Sequence, residues 1–268
     1  MTKQSPRRER RAAQIAKRKQ QQAATRPAWA SPVLLVTVAA VLAGVVLVAV
    51  LAFASSKPAS NGSGPIATPD FPSPPPGLEH GRSLGSPDAP VKIDAWEDFQ
   101  CPVCRRFTLE IEPRLIFTYI TSGKVYLTYH DLAFIGQESF DAASAARISD
   151  AIGPGFWPMH DLLFANQGAE NSGALSRDRL ASMAALLGMN RTAFLEALND
   201  PTYRQAVALE TQQGGAAGIS QTPTLVINGK AYAGLPTFQN LSALIDAAAG
   251  SSPAPSAGAL PSASPSGP

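Results

Sequence analysis

The stretch Asp98-Phe99-Gln100-Cys101-Pro102-Val103-Cys104-Arg105-Arg106-Phe107 decides the fold, because it holds both cysteines of the 268-residue chain, three positions apart. Two such cysteines can close into a disulfide, whereas a structural zinc site needs two further ligands. The three histidines, His80, His130 and His160, lie at no zinc-finger spacing from the pair. The sequence therefore predicts a dithiol that cycles between reduced and oxidised states, without a metal or a cofactor.

A basic arm and an uncharged apolar segment precede this stretch. Residues 1–31 hold nine of the 22 Lys and Arg residues and a single acid, Glu9. Residues 33–54 carry no charge, and as a helix rising about 1.5 Å per residue they would span a bilayer core of about 30 Å. We therefore expect a cytoplasmic arm, a single transmembrane helix at 32–54, and an extracytoplasmic remainder on the cell membrane. A cleaved signal peptide ending at Ala52-Phe53-Ala54 is the alternative, although its apolar region would normally be shorter.

The charge balance of the remainder differs from that of the whole chain. Residues 55–268 carry 13 Lys and Arg against 19 Asp and Glu, a net charge of −6, whereas the whole chain has +2. A nucleic-acid-binding surface would need clustered positive charge, so no nucleic acid is expected as a partner. The basic arm is expected to set topology and to contact the lipid bilayer.

Composition also divides the exported part. Residues 55–80 are rich in Pro, Ser and Gly and predict an extended linker. Residues 250–268 are uncharged and, apart from Leu260, consist of Pro, Ser, Ala and Gly, which predicts a disordered tail. The intervening 81–249 is long enough for one domain with its own core.

Periodicity within 81–249 predicts an α/β domain with a large helical insertion at about 138–213. Alternating apolar residues predict strands, and apolar residues at three- and four-residue steps predict helices. Asn228-Gly229 between two β-type runs predicts a hairpin. The expected strands are 91–96, 124–130, 224–227 and 230–233. The expected helices are 101–121 with a kink at Pro113, then 138–151, 156–166, 176–187, 191–198, 201–213 and 237–249.

Three segments, in this order, resemble DsbA-like thiol:disulfide oxidoreductases of the thioredoxin superfamily. They are the cysteine stretch, Phe156-Trp157-Pro158-Met159-His160-Asp161-Leu162-Leu163-Phe164 and Thr222-Pro223-Thr224-Leu225-Val226-Ile227-Asn228-Gly229. The similarity covers about 84–249 and implies a thioredoxin-like fold, here preceded by the transmembrane helix. It further implies that Pro223 is a cis-proline facing the cysteines and that Thr222 offers backbone polar groups to a substrate.

The two cysteines are expected to play different parts. Pro102 suits the first position of a helix, which places Cys101 at the helix N-terminus, where the peptide dipoles favour a thiolate. Cys104 lies one turn further in, where burial raises a thiol pKa. We therefore expect Cys101 to be the nucleophile and Cys104 the resolving thiol. A purely structural disulfide is the alternative, although so short a loop would stabilise little.

The sequence departs from the family at one position. The family often has a buried acid six residues before the first cysteine, and here that residue is Ala95. Asp94 lies on the opposite face of the strand, because successive side chains alternate. Glu97 is the candidate to assist proton transfer to Cys104, with a solvated strand-end acid as the alternative. His160 is expected to be a helix-surface or packed residue rather than a base.

The expected function is thiol–disulfide exchange outside the cytoplasm, most simply oxidation of cysteines in exported proteins. Trp96 and Phe99 flank the active-site turn and are expected to line an apolar docking surface. The family implies reoxidation by a membrane partner, either DsbB-like or vitamin K epoxide reductase-like. The Pro102-Val103 dipeptide leaves redox direction open, so an electron-fed reductase or isomerase remains an alternative, as does a non-catalytic anchored interaction domain.

Overall fold

The computed structural model describes residues 6–24 and 64–250. Within the basic arm, Pro6–Ala24 forms a helix, α1. Neither of these two ranges contains a helix that combines the length and the apolar character needed to cross a membrane. The transmembrane helix predicted at 32–54 lies outside the described residues, and so does the predicted tail beyond Gly250.

Six strands of residues 64–250 form one sheet with the order β1-β2-β4-β3-β5-β6. The central strands β3 and β4 are parallel, and every other neighbouring pair is antiparallel. The four predicted strands are confirmed to within one residue at each end. β1 and β2 were not predicted, because two-residue strands carry no measurable periodicity. The bounds are β1 Glu79–His80, β2 Ser83–Leu84, β3 Val91–Glu97, β4 Val125–Asp131, β5 Thr224–Ile227 and β6 Lys230–Ala233.

The helical segment after the cysteines, α2, covers 102–120 and is less regular than predicted. It alternates between α-helical and π-helical turns, with bounds Pro102–Arg106 (α), Phe107–Ile111 (π), Glu112–Leu115 (α) and Ile116–Ile120 (π). The amide of Glu112 donates to the carbonyl of Phe107, five residues back. Pro113 has no amide to donate and its ring crowds the preceding turn, so a wider turn ahead of it relieves the clash. The expected kink is thus spread over a π-helical turn.

The predicted helical insertion is confirmed as five helices, with ends that differ from prediction by three residues or fewer. Two of them begin with side-chain caps: Asn190 accepts a hydrogen bond from the amide of Ala193, and Asp200 accepts one from the amide of Thr202. The bounds are α3 Gln137–Ile152, α4 Phe156–Ala165, α5 Arg177–Leu186, α6 Arg191–Asn199 and α7 Pro201–Ala216, followed after the hairpin by α8 Phe238–Gly250.

One face of the sheet carries the main apolar core. Ile93 and Ala95 of β3 belong to it together with Phe107 and Leu115 of α2 and Leu241 of α8. All five side chains are almost wholly buried. This core fixes α2, and therefore the cysteines at its start, against the centre of the sheet.

The opposite face is covered by α7. Trp96 of β3 stacks on His130 of β4 with ring centroids 4.6 Å apart. A Cβ atom on Gly214 of α7 would lie only 2.6 Å from the Trp96 ring. The helix can approach this closely because residue 214 has no side chain.

The described part of the linker predicted over 55–80, residues 64–80, packs on the domain. The amide of Ala67 donates to Asn166 Oδ1, and Asn166 Nδ2 donates to the carbonyl of Ala67, both at 2.8 Å. Ile66 packs on the main core, and the linker ends in strand β1. Apolar burial and this paired backbone hydrogen bonding hold the segment on the domain despite its composition.

A buried ionic cluster joins α7 to the sheet. Glu210 accepts hydrogen bonds from Arg82 at 2.5 Å, from His130 Nδ1 at 2.8 Å and from Arg147. Burial alone would raise the pKa of Glu210, but the His130 hydrogen bond and the charges of Arg82 and Arg147 lower it to about 2. Burial likewise lowers the pKa of His130, and its bonds to Asp94 and Glu210 outweigh this and raise it to about 9.

Replacing Glu210 is expected to destabilise the domain in a pH-dependent way. Glu210→Gln removes the anion that Arg82, His130 and Arg147 share, so the free energy of unfolding at pH 7 should fall by about 3 kcal/mol. The folded pKa lies below the ordinary value of 4.5, so the stabilisation is complete above that pH and is lost as the pH falls towards 2. Denaturant titration of the full chain at several pH values measures this difference.

The matched control is Glu110→Gln, which alters an exposed ion pair with Arg106 and should change stability little. A Glu210→Gln variant with the wild-type unfolding midpoint at pH 7 would contradict the structural role of the cluster.

Candidate active site

Cys101 immediately precedes α2, as the sequence predicted. Its backbone is extended, with φ −73° and ψ 118°, and Pro102 is the first helical residue. Its carbonyl accepts the first helical hydrogen bond, from the amide of Arg105, at 3.1 Å. The side chain is 6% exposed. The sulfur therefore lies at the positive end of the helix, with a small area accessible to a substrate.

The surroundings of Cys101 favour its thiolate. A hydrogen bond from the Cys104 thiol lowers the pKa of Cys101 by more than burial raises it, and the Thr222 side chain and the amides of Cys104 and Val103 lower it further, to about 6. When protonated, Cys101 Sγ donates to the carbonyl oxygen of Thr222 at 3.4 Å. That single contact favours the thiol and is outweighed by the others, so Cys101 is mostly ionised at pH 7.

Cys104 has the opposite environment. Its side chain is completely buried. Burial raises its pKa well above the ordinary value, and its hydrogen bond to Cys101 and the negative charge of Glu97 raise it further. Both cysteines are free thiols in this structure. At neutral pH one sulfur is therefore a nucleophile and the other holds its proton.

The Thr222–Pro223 bond is cis and lies beside Cys101, as the resemblance implied. The carbonyl of Pro223 accepts a hydrogen bond from the amide of Gly234 at 2.8 Å. Thr224 begins β5 and pairs with Trp96 of β3. The hairpin and the central strand together thus hold Thr222 against the sulfur.

Glu97 ends β3 beneath the cysteines, on the same face of the strand as Ala95. It is 1% exposed, and within the described part of the chain neither carboxyl oxygen has a hydrogen-bond partner. Burial and the charge of Cys101 raise its pKa to about 8, although the nearby Cys104 thiol lowers it somewhat. Glu97 is therefore largely protonated at pH 7, and the alternative of a solvated strand-end acid is wrong.

The expected docking role of Trp96 and Phe99 is wrong, because both side chains are buried. Phe99 is 1% exposed and stacks on Tyr129, with ring centroids 5.3 Å apart, and Trp96 lies beneath α7. Alternation along β3 and the turn that follows it directs both rings inward. The large exposed apolar side chains next to the active-site turn are Val103 and Phe134 instead.

Asp98 organises the active-site turn and was not recognised from the sequence. Its carboxylate accepts hydrogen bonds from the amides of Gln100 at 2.8 Å, Phe134 at 3.0 Å and Ile135 at 3.2 Å. An aspartate two residues before its amide donor is a common turn signal. The bonds to the loop after β4 involve residues distant in sequence and leave no local pattern.

The insertion also holds the active-site turn. Gln167 Nε2 donates to the carbonyls of Phe99 at 2.7 Å and Cys101 at 3.0 Å, and Arg105 Nε donates to the carbonyl of Phe164 at 3.0 Å. These bonds come from the end of α4 and the residues after it. They fix the backbone of the active-site turn and the start of α2 against the insertion.

One group of side chains in the described ranges has the spacing of metal ligands. Oxygen atoms of Glu97 and Glu112 and a ring nitrogen of His160 lie within 4.8 Å of one another, and all three residues are buried. Three donors are fewer than a structural zinc site uses, and disulfide exchange itself needs no metal. We therefore interpret the group as a cluster of buried proton-binding side chains and not as a metal site.

Comparison with known proteins agrees with this fold. Residues 78–247 match the thioredoxin family model. The chain is 29% identical over 168 residues to the probable disulfide bond formation protein D of Bacillus cereus, covering 62% of this chain and 77% of that protein. It is 31% identical to the Na(+)/H(+) antiporter NhaA 1 of Salinispora arenicola, over 65% of this chain but 25% of that protein. Oxidised BdbD from Bacillus subtilis superposes with a TM-score of 0.59 and 24% identity, covering 69% of this chain and 99% of BdbD.

An ionised, helix-capping cysteine paired with a buried second thiol defines the class of thiol:disulfide oxidoreductases, and this chain is one. It belongs to the thioredoxin family, whose model matches well over half of its residues.

The titration of Cys101 gives a direct test of the site. Thiolate absorbance of the reduced full chain near 240 nm should rise with a midpoint near pH 6, because the thiolate is stabilised by hydrogen bonds and the helix N-terminus. Cys101→Ser should remove this transition. The matched variant Cys104→Ser should keep an ionisable Cys101. A midpoint near the ordinary 9.0 in the wild type would contradict the assignment of Cys101 as nucleophile.

Proposed function

We propose that this chain oxidises paired cysteines of exported proteins outside the cytoplasm, with the Cys101–Cys104 disulfide as oxidant. The observation that carries the proposal is the contrast between the two sulfurs. The pKa of Cys101 is lowered to about 6 and that of buried Cys104 is raised. A stabilised thiolate at Cys101 favours the reduced protein and so favours giving the disulfide away.

The first step opens the disulfide of the protein. A substrate thiolate attacks Cys101 Sγ, the Cys101–Cys104 bond breaks, and Cys104 leaves with the electron pair. Cys104 lies in a buried site where a thiolate is costly, so it takes a proton. Glu97 beneath it is protonated at neutral pH and supplies that proton.

The second step releases the oxidised substrate. A second substrate thiolate attacks the substrate sulfur of the mixed disulfide, and Cys101 leaves as a thiolate. The substrate dithiol has then lost two electrons and two protons. Once Glu97 has been reprotonated, the protein has gained both electrons and one proton, while the other proton goes to solvent. A leaving thiol of low pKa makes this step fast.

The active-site turn and Thr222 are proposed to support these steps. Pro102 starts the helix that stabilises the thiolate, and Val103 exposes an apolar side chain beside it. Pro223 places the Thr222 carbonyl at the sulfur, and the neighbouring backbone is proposed to receive an extended substrate segment. This arrangement suits any accessible cysteine in a loosely folded chain, so substrate choice depends on exposure more than on sequence.

The location and partners belong to the proposal too. Relatives named as disulfide bond formation proteins support a disulfide-forming role, and the uncharged segment 32–54 supports a membrane anchor with the catalytic domain outside the cytoplasm. Reoxidation requires a membrane oxidant that accepts two electrons, either DsbB-like or vitamin K epoxide reductase-like. An electron-fed reductase or isomerase is the competing function of the same fold.

Oxidation of a reduced two-cysteine peptide by the full chain tests the proposal. The oxidised wild type should form the peptide disulfide stoichiometrically, and Cys101→Ala should form none, because the attacked sulfur is missing. Cys104→Ala with Cys101 first joined to a small thiol should yield peptide mixed disulfides, detected by mass spectrometry after acid quenching. Glu110→Gln, an exposed change on α2, should behave as wild type.

A Cys101→Ala variant that still oxidises the peptide would contradict the proposed reaction. Wild-type protein that leaves the peptide reduced but rapidly reduces a peptide disulfide would support the reductase instead.

A further inference from the structure

The buried cluster below the cysteines contains His160, and packing alone does not explain why a histidine lies there. His160 of α4 is 0% exposed and its Nε2 atom has no hydrogen-bond partner among the described residues. The cluster formed by Glu97, Glu112 and His160 keeps its polar atoms within 4.8 Å of one another. An unpaired ring nitrogen is thus enclosed with two carboxyl groups, one of which contacts Cys104.

The His160 ring is held in one orientation by aromatic neighbours. Its centroid lies 4.9 Å from that of Trp157, 5.0 Å from that of Phe164 and 5.4 Å from that of Tyr129. A phenyl ring could occupy such a site without a buried nitrogen, and leaving that nitrogen unpaired destabilises the folded domain. A local cost of this kind, next to reacting groups, points to function.

The other ring nitrogen leads away from the cysteines. His160 Nδ1 bonds to Asp161 Oδ1 at 2.9 Å, and the side chain of Asp161 is 10% exposed. The charge of Asp161 also acts on Glu79 of β1, a partly exposed residue. The imidazole of His160 therefore lies within a buried carboxyl cluster and is also bonded to Asp161, a carboxylate with a small exposed area.

Glu97 needs a route for protons to solvent through neighbouring groups, because its own carboxyl oxygens have no direct contact with solvent. Both of its oxygens are shielded from solvent, yet under the proposed function it gives up a proton whenever Cys104 is released and takes one back whenever Cys104 reacts. A proton that enters or leaves Glu97 must pass through a neighbouring side chain or a bridging water.

We propose that His160 and Asp161 carry protons between Glu97 and the surface of the domain. This inference rests on the proposed function. When the disulfide re-forms, protonated Glu97 first passes its proton to His160 Nε2, and His160 releases the proton on Nδ1 to Asp161 and so to solvent. Glu97 then takes the proton that Cys104 loses. The reverse sequence recharges Glu97 during substrate oxidation. No electrons move through the relay, and each proton given is replaced.

The charges around the cluster suit this passage. Burial raises the pKa of Glu112 well above its ordinary value, and the charges of Glu97 and Asp161 raise it further. The neutral form of Glu112 is therefore favoured beside Glu97 and His160. The distances within the cluster, up to 4.8 Å, are within reach of a carboxyl torsion or one bridging water.

The test measures how fast the disulfide closes. The reduced full chain is mixed with oxidised glutathione and quenched in acid, and mass spectrometry separates the glutathione mixed disulfide from the closed Cys101–Cys104 form. His160→Gln removes the two-sided proton carrier, so closing should slow by at least about tenfold. Formation of the mixed disulfide and the equilibrium reduction potential should not change, because a relay alters neither Cys101 nor the end states.

Three further variants keep the test decisive. Asp161→Asn should slow closing in the same way, and Asp161 is less completely buried than His160, so this change disturbs folding less. Trp157→Phe alters the packing around His160 but leaves the proposed proton carriers in place. The disulfide of this variant should close at the wild-type rate. Glu97→Gln should be at least as slow as His160→Gln.

Three results would overturn the relay. The first is wild-type closing in both His160→Gln and Asp161→Asn while Glu97→Gln is slow, which would leave the proposed function intact. The second is equal slowing by Trp157→Phe, which would assign the effect to packing. The third is one equivalent of zinc or manganese in the purified wild type that is lost in His160→Gln, which would make the cluster a metal site. Failure of the peptide oxidation itself would instead reject the proposed function.

Discussion

The chemistry of this domain depends on holding two sulfur atoms, three residues apart, in opposite electrostatic surroundings. Cys101 lies at the N-terminus of a helix with donors around it, and Cys104 lies one turn inside the core beside a carboxyl group. A thiolate is stabilised at the first position and disfavoured at the second. Because only two residues separate the cysteines, the helix N-terminus that stabilises the first sulfur must lie directly against the core that buries the second.

The rest of the fold maintains that boundary. β3 delivers Glu97 beneath the sulfurs, β5 delivers Thr222 beside them, and the loop after β4 is tied to the turn through Asp98. The helical insertion adds Gln167, which pairs with the carbonyl of Cys101 itself. The insertion therefore contributes to the site through backbone contacts and through the buried His160, in addition to its packing.

The two faces of the sheet treat buried charge differently. On the α7 face, Glu210 forms ion pairs with Arg82, His130 and Arg147. A buried carboxylate paired in this way is typical of a structural cluster. On the α2 face, Glu97 has no hydrogen-bond partner within residues 64–250. Unpaired burial raises its pKa into the range where it can give or take a proton at neutral pH. Of these two carboxyl groups, Glu97 is the one without a hydrogen-bond partner among the described residues, and it adjoins the reacting sulfurs.

Much of this arrangement could be predicted from local sequence. Alternation gave the edges of β3, and Asn228-Gly229 gave the hairpin; the cysteine stretch and Thr222-Pro223 together indicated the site. Residues brought near by tertiary packing left no such pattern, as with Gln167 and the partners of Asp98. Glu112 follows Cys104 and Thr108 at four-residue steps, so helical spacing alone could have placed it below the cysteines. Phe99 was misjudged because its direction is set by the turn after β3, which periodicity does not describe.

The measurement that tests the central claim most directly is the reduction potential of the Cys101–Cys104 pair in the full chain, by equilibration with glutathione buffers. A stabilised Cys101 thiolate makes the disulfide oxidising. We therefore expect a reduction potential of about −120 mV, the value of a strong disulfide donor. A potential of about −270 mV, typical of a reducing thioredoxin, would contradict the oxidase function and assign the protein to the electron-fed reductases.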